Sequence, residues 1–304
     1  MKQILVIGSL NMDLVVKVEK LPKLGETILG ETLYENPGGK GANQAVAAAK
    51  LGGNVSMIGK LGNDNYGEQL LLNLKNNNIK TEGIIRCSDI TGTAVIEVDN
   101  DGNNSIVVIP GSNSKLSKED LDSAAELLDK ADIVILQQEI PINTVEYALE
   151  QAAKRGKITI LNPAPAVEIS DKILDATDFL ILNETELEIV SGKESIPETE
   201  YIHAIKKLRN KGAKNIILTL GEKGGMYTEG EETREYKAMK VKAVDTTAAG
   251  DSFIGAFALK LAQDASVSDA LEFAVGVSAL TVTRSGAQQS LPTQEELELF
   301  LKSK

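Results

Sequence analysis

Between residues 116 and 220 the chain changes texture at short, regular intervals, and this rhythm restricts it to few architectures. Apolar runs at 133–136, 158–161, 179–182 and 216–220 are separated by longer stretches with helical spacing at 117–128, 142–154, 184–190 and 201–209. Short β-branched runs without polar alternation suit strands covered on both faces. Strands that alternate with helices build a largely parallel sheet. Residues 3–7, ended by Gly8, have the same character. The expected fold class is therefore α/β, with a predominantly parallel central sheet flanked by helices.

Two regions break the rhythm. Residues 14–18, 26–33, 93–99 and 104–109 are short, strand-like and interrupted by polar side chains, and Asn100-Asp101-Gly102-Asn103 is a hairpin turn. They read as a small β lid, formed by 14–33 and 93–109, on a main body of 1–13, 34–92 and 110–304. A sheet this small leans on the body or on a second subunit. Its free edges ask for cover, so a homodimer through the lid is the expected assembly. Residues 221–244 form the second break, with hairpin strands expected at 225–228 and 236–241. Elsewhere the pattern predicts helices at 42–51, 66–75, 252–262, 267–280 and 293–301, and a strand at 55–58.

Charge and residue usage narrow the chemistry. Over 304 residues, 44 acidic side chains face 32 basic ones, a net charge of -12, with no basic block to track a nucleic-acid backbone. A small anion is still admissible, because backbone N–H groups bind phosphate inside acidic proteins. The opening apolar run is too short for a signal peptide, and no stretch reaches 18 apolar residues, so a cytoplasmic protein with no membrane partner is expected. Cysteine occurs once, at Cys87, and histidine once, at His203 in a Lys/Arg-rich helical stretch. Internal disulfides and cysteine metal clusters are thereby excluded, and histidine-dependent triads and zinc sites become weak readings. Acid–base work falls to carboxylates.

Three motifs sit where strands are expected to end, the place where open α/β sheets bind ligands. The first, Pro37-Gly38-Gly39-Lys40-Gly41-Ala42-Asn43, is mostly bare backbone and lets a ligand approach closely, with Lys40 and Asn43 supplying polar contacts. It lacks the GxxxxGK[ST] spacing of a P-loop. The second, Asn183-Glu184-Thr185-Glu186, has capping-box spacing, and the same spacing sets two oxygen-bearing side chains at a strand end, suited to hydrated Mg²⁺. The third is Asp245-Thr246-Thr247-Ala248-Ala249-Gly250-Asp251, followed by an apolar helix. Unpaired N–H groups of residues 249–251 at that helix start would attract a phosphoryl group. Asp251, stabilised there as the anion, suits a general base. Phosphoryl transfer needs little more, since positioning and charge stabilisation supply most of its rate.

With both signatures, 38–43 and 245–251, the chain resembles the ribokinase-like (phosphofructokinase-B-type) family of carbohydrate kinases over essentially its whole length. The resemblance implies ATP-dependent phosphorylation of a free sugar, D-ribose on its 5-hydroxyl, with Asp251 as catalytic base and Ala248, Ala249 and Gly250 as the anion hole. It assigns sugar contacts to Asn11, Asp13, Gly39, Lys40, Asn43 and Glu139. Asn183 and Glu186 match a motif tied to Mg²⁺ and phosphate, and Thr219, Gly221 and Gly224 a nucleotide-binding turn. It also implies K⁺ activation at a site made by the Asp245 carboxylate, the carbonyls of Thr247, Thr281, Arg284 and Gly286, and the Ser290 hydroxyl. Two positions depart from the pattern. Ala248 stands where the family usually has Gly, and Val275 stands where many relatives place an Asn near adenine.

Deoxyribose, fructose, a nucleoside or a sugar phosphate are the rival substrates. Sparse aromatics in the lid weigh against a nucleoside, and Lys40 as the one cation of the first motif weighs against a sugar phosphate. Outside the class, a dinucleotide oxidoreductase would need GxGxxG after the first strand, where the chain has Gly8-Ser9-Leu10-Asn11-Met12-Asp13. A non-catalytic sugar-binding regulator would not need Asp251.

Overall fold

Alternate residues of the first strand enter different cores: Ile4 and Val6 pack into one, Leu5 and Ile7 into the other. In the computed structural model, which describes residues 1–303, that period of two recurs along the central sheet. The chain begins with β1 (Gln3–Ile7), β2 (Asn11–Val18), β3 (Gly30–Gly38), α1 (Lys40–Lys50), β4 (Asn54–Gly62) and α2 (Asn65–Asn76). Next come β5 (Lys80–Cys87), β6 (Gly92–Val98), β7 (Asn104–Ile109), α3 (Lys118–Ser123), α4 (Ala125–Lys130), β8 (Ile133–Leu136) and α5 (Ile142–Lys154). β9 (Ile158–Leu161), α6 (Asp171–Asp175), β10 (Phe179–Asn183), α7 (Glu184–Val190), α8 (Tyr201–Asn210) and β11 (Asn215–Thr219) follow. The last elements are β12 (Gly225–Glu229), β13 (Glu232–Tyr236), α9 (Ala249–Ala262), α10 (Val267–Thr281) and α11 (Gln294–Lys302).

The nine-stranded sheet has the order β13-β12-β11-β10-β9-β8-β1-β4-β5, and all its strands run in parallel except β12, which is antiparallel to both neighbours. Helices α1, α9 and α10 pack on one face, and α5, α6 and α8 on the other. This is the expected α/β architecture. A second sheet of four strands, β3-β2-β6-β7, stands on the loop side of β1, its β2 continuing the chain just past Ile7. No helix among the described residues is long and apolar enough to cross a membrane.

Five local expectations need correction. The strand expected at 26–33 begins at Gly30 and runs to Gly38 through Pro37, which β3 tolerates as an edge strand. Strand β5 was not anticipated, because its sequence KTEGIIRC mixes charges into a short edge strand. The helix expected at 117–128 is two helices meeting at Ala124, whose ψ of 15° ends the first. Residues 237–241 form no strand, because β13 is already the outermost strand and nothing lies beyond it to pair with. Finally, α9 starts at Ala249, a turn earlier than Ser252.

Helices α1 and α9 cross unusually closely. Ala42, Ala45, Ala47 and Ala48 give α1 a flat face, and a Cβ built on Gly255 of α9 would lie 2.7 Å from both Ala47 Cβ and the Gln44 carbonyl. Gly255 lies one turn after Asp251. Its missing side chain is what allows the start of α9 to reach the start of α1.

Candidate active site

The carboxylate of Asp251, only 7% exposed, is gripped from α1. Asn43 Nδ2 donates to its Oδ2 at 2.9 Å, and Gln44 Nε2 donates to its Oδ1 at 2.9 Å. The first and third sequence motifs therefore meet side chain to side chain. Behind them lie further amides: Gln137 donates to Gln44 Oε1 at 2.6 Å, and Gln288 donates to Asn43 Oδ1 at 3.1 Å.

Ala248, the residue before α9, has φ 59° and ψ 11°, the left-handed region that favours glycine. The resulting turn lets the Ala249 N–H donate to the Thr246 carbonyl at 3.2 Å. That corrects the expectation that Ala249 offers a free N–H. The N–H groups of Ala248, Gly250 and Asp251 have no hydrogen-bond partner among the described residues, and a Cβ on Gly250 would meet open space. Unpaired amides at a helix start with room in front of them are the donors an anion needs.

The residues expected to contact the sugar lie on β2, at the start of α1 and in the loop after β8. Gly39, with φ 87°, starts α1 so close to β2 that a Cβ there would sit 2.7 Å from the Asn11 amide nitrogen. Glu139, after β8, accepts from the Lys40 N–H at 3.1 Å and from the Ser9 hydroxyl at 2.6 Å. It thus caps α1 in place of a local residue. Asn11 is buried, its Oδ1 accepting from Asn113 Nδ2 at 2.7 Å, while Asn113 also bonds the Leu10 N–H and carbonyl. Burial, together with the charges of Glu139 and Asp251, raises the Asp13 carboxyl to about 7. Burial works to lower the Lys40 ammonium, yet Asp251, Glu139 and Glu186 hold it above the ordinary lysine value. Lys40 is the cation these carboxylates share.

On the nucleotide side, Asn183 and Glu186 form a full capping box at the start of α7, with both bonds at 2.9 Å. Glu186 also receives Asn162 Nδ2 at 3.4 Å, and Asn162 Oδ1 receives Gln44 at 3.4 Å, linking Glu186 to Asp251 through two amides. Burial raises the Glu186 carboxyl, joined by the charge of Asp251 and opposed by the Asn183 N–H and Lys40. Thr219 lies beside Asn183 in the β10–β11 register and donates to the Leu182 carbonyl at 3.3 Å. Gly221 and Gly224 flank a single turn, and the Gly224 carbonyl accepts from Leu220 at 2.8 Å. Val275 is half-buried on α10. The lone His203 lies exposed on α8 and takes no part.

Of the cation-site set, Asp245 is bonded to Thr247 N–H and to Gly286 N–H, each at 2.8 Å. Val244 and Asp245 also donate to Val282 beside Thr281, and the Thr281 carbonyl receives the Arg284 N–H at 3.1 Å. Ser290 is buried, and its bonds run to Ala287, not to Asp245. Oxygen-only donors with one carboxylate fit a large monovalent cation better than a transition metal. No group of three or more His, Cys, Asp or Glu among the described residues could hold a metal ion alone. A lone carboxylate such as Glu186 suits contact with magnesium through water and not a closed protein ligand set.

Sequence reading missed Gln44, Gln137, Asn162, Asn113 and Gln288. A signal was present for Gln44: a polar side chain inside an Ala-rich helix, at a position the periodicity buries.

The fold is α/β, and the three motifs lie at the carboxyl ends of its parallel strands, where open α/β sheets bind ligands. Residues 1–294 match the model of the pfkB family carbohydrate kinases. The chain is 41% identical over 304 residues to a deoxyribokinase of Salmonella typhi, covering 98% of each, and 39% identical over 301 residues to a ribokinase of Haemophilus influenzae, covering 99% of this chain and 98% of that one. A ribokinase structure from Thermotoga maritima superposes with a TM-score of 0.90 at 42% identity, covering 99% of this chain and 100% of the other. The chain belongs to the pfkB family of carbohydrate kinases. Its activity is of the ATP-dependent sugar kinase type.

Proposed function

We propose that this chain transfers the terminal phosphoryl group of ATP to the 5-hydroxyl of D-ribose, giving ribose 5-phosphate and ADP. The observation that carries the reading is the grip of Asn43 and Gln44 on Asp251, which sets one carboxylate between the sugar-side motif and the N–H groups of α9. Asp251 takes the hydroxyl proton as the new O–P bond forms and the bond from the terminal phosphorus to the bridging oxygen of ADP breaks. The N–H groups of Ala248 and Gly250 face the developing charge, while Asn11, Asp13, Gly39, Lys40, Asn43 and Glu139 hold the sugar hydroxyls. Magnesium, held through water by Glu186, would neutralise phosphate charge. Potassium, held by Asp245 and the carbonyls of its loop, would add positive field near the anion-hole amides.

Deoxyribose is the second reading, favoured by the 41% identity to a deoxyribokinase. A coupled ATP-consumption assay over ribose, deoxyribose, fructose and adenosine, with and without potassium, tests both. Ribose is expected to have the highest kcat/KM, and preference for deoxyribose would overturn the first reading. Asp251→Asn is expected to lower kcat by roughly 10²- to 10⁴-fold.

The four-stranded sheet serves in this reading as a lid and as a dimer surface. All six residues of β7 are exposed, and Ile106, Val107, Val108 and Ile109 leave an apolar strip that a second copy would cover. Analytical ultracentrifugation is expected to give a dimer for the parent and a monomer for Val107→Glu. A monomeric parent would remove this assembly.

A further inference from the structure

Five buried or half-buried amide side chains form two hydrogen-bonded arms that converge on Asp251, each link donating toward it. One arm runs from Gln137 to Gln44 to Oδ1, at 2.6 and 2.9 Å. The other runs from Asn73 to Gln288 to Asn43 to Oδ2, at 2.7, 3.1 and 2.9 Å. Gln44 and Gln137 are fully buried, and Gln288 is 5% exposed. Burying this much amide would be costly unless every donor found a partner. The Gln137 Oε1 atom at the far end of the first arm does lack one. The arrangement thus leaves an acceptor unpaired at its outer end and brings one amide donor onto each oxygen of the carboxylate.

Each amide whose carbonyl accepts a bond becomes a better donor at its nitrogen, so the polarity of the two arms adds up at Asp251. The carboxylate lies among those of Asp13, Glu139 and Glu186, with the Lys40 ammonium close by. One amide on each oxygen also fixes the plane of the carboxylate and leaves a further lone pair on each oxygen for a hydroxyl proton.

We propose that Gln44, seated by Gln137, and Gln288, acting through Asn43, are positioning residues that hold the Asp251 carboxylate aimed at the hydroxyl it deprotonates. The proposal rests on Asp251 being the base. Gln288 lies in the loop that begins at Arg284, so this arm also joins the base to the segment bonded to Asp245 through Gly286.

The test compares Gln44→Leu, Gln44→Glu, Gln288→Leu and Asp251→Asn by steady-state kinetics on ribose and deoxyribose, with pH profiles of kcat and circular dichroism for folding. For Gln44→Leu, kcat is expected to fall about 10- to 100-fold while the sugar KM stays within about threefold. Its acidic limb moves to higher pH, because the anion has lost a donor. Gln44→Glu keeps the shape, replaces the donor with a carboxylate, and moves the limb further. Gln288→Leu shifts kcat and the limb in the same direction by less. Folded Gln44 variants with the parental kcat and limb would overturn the proposal, as would a loss of stability with an unmoved limb. Should the Gln44 variants not fold, Gln288→Leu decides by the same readouts. If Asp251→Asn keeps the parental kcat, the base assignment itself falls; if Asp251→Asn is inactive and the glutamine variants are unchanged, only the positioning role falls.

Discussion

Asp245 Oδ2 accepts the Gly286 N–H at 2.8 Å, so one carboxylate ties the segment before α9 to the loop after α10. Burial pushes its carboxyl up, but the Thr247 side chain and the Gly286 and Thr247 N–H groups outweigh that and hold it below the ordinary aspartate value. A depressed carboxyl contributes stability that is full above its unfolded pKa and lost as the pH falls through the folded value.

Asp245→Ala is accordingly expected to unfold at a lower temperature than the parent at neutral pH, with the gap narrowing in acid, below the ordinary aspartate value. Scanning calorimetry at neutral and acid pH measures this, and a gap that persists in acid would contradict it. The same variant is expected to lose any stimulation of activity by potassium.

Gly255 sets the distance between α1 and α9. In Gly255→Ala the new methyl group would press on Ala47 Cβ and the Gln44 carbonyl, which belong to a packed helix and cannot rotate away. Overpacking of this kind costs roughly 1–3 kcal/mol. Because separation of the helices also stretches the bonds from Asn43 and Gln44 to Asp251, kcat is expected to fall by more than the sugar affinity. Calorimetric sugar binding beside kcat separates the two effects, and an unchanged kcat would show that the spacing is not critical.

At Ala248 the relation is reversed. An alanine at φ 59° bears a steric strain that glycine would not. Ala248→Gly is expected to gain about 1 kcal/mol, offset in part by the greater freedom of glycine in the unfolded chain. A rise of roughly 2 °C in the thermal midpoint is the expected reading, and a fall would mean that the turn favours the methyl group.

The α/β class was legible because fully buried parallel strands leave unbroken apolar runs, as in Ile133–Leu136 and residues 179–182. Edge strands were harder. β5 and β3 carry Glu, Lys, Asn and Pro because one side of each is open, so their period is blurred. Asp251 stood out because small residues precede it and an apolar helix follows. Its partners Gln44, Gln137 and Gln288 did not, since an amide has no signature spacing and acquires its role only when α1, the β8 end and the α10–α11 loop come together in space. The Asn183–Glu186 pair was ambiguous in sequence and remains a cap in the structure, with the added bond to Asn162 that a capping box alone does not require.

Asp13 offers a pH readout of the sugar side. Its carboxyl is raised to about 7 by burial and by Glu139 and Asp251. The sign is opposite to that at Asp245. A carboxyl raised on folding contributes stability that is full below its unfolded pKa and is lost as the pH rises toward the folded value. In the free protein, ionised Asp13 therefore costs stability above about pH 7, an amount on the order of a few kcal/mol. Asp13→Asn keeps the shape and removes the charge. The variant is expected to gain thermal stability over the parent progressively between the ordinary aspartate range and pH 7, then to hold a constant lead. The same change removes an acceptor for a sugar hydroxyl, so the sugar KM is expected to rise about 10-fold or more while stability improves. Thermal scans across that pH range, paired with KM, check both halves. A lead that does not change with pH would mean that folding does not raise the Asp13 carboxyl.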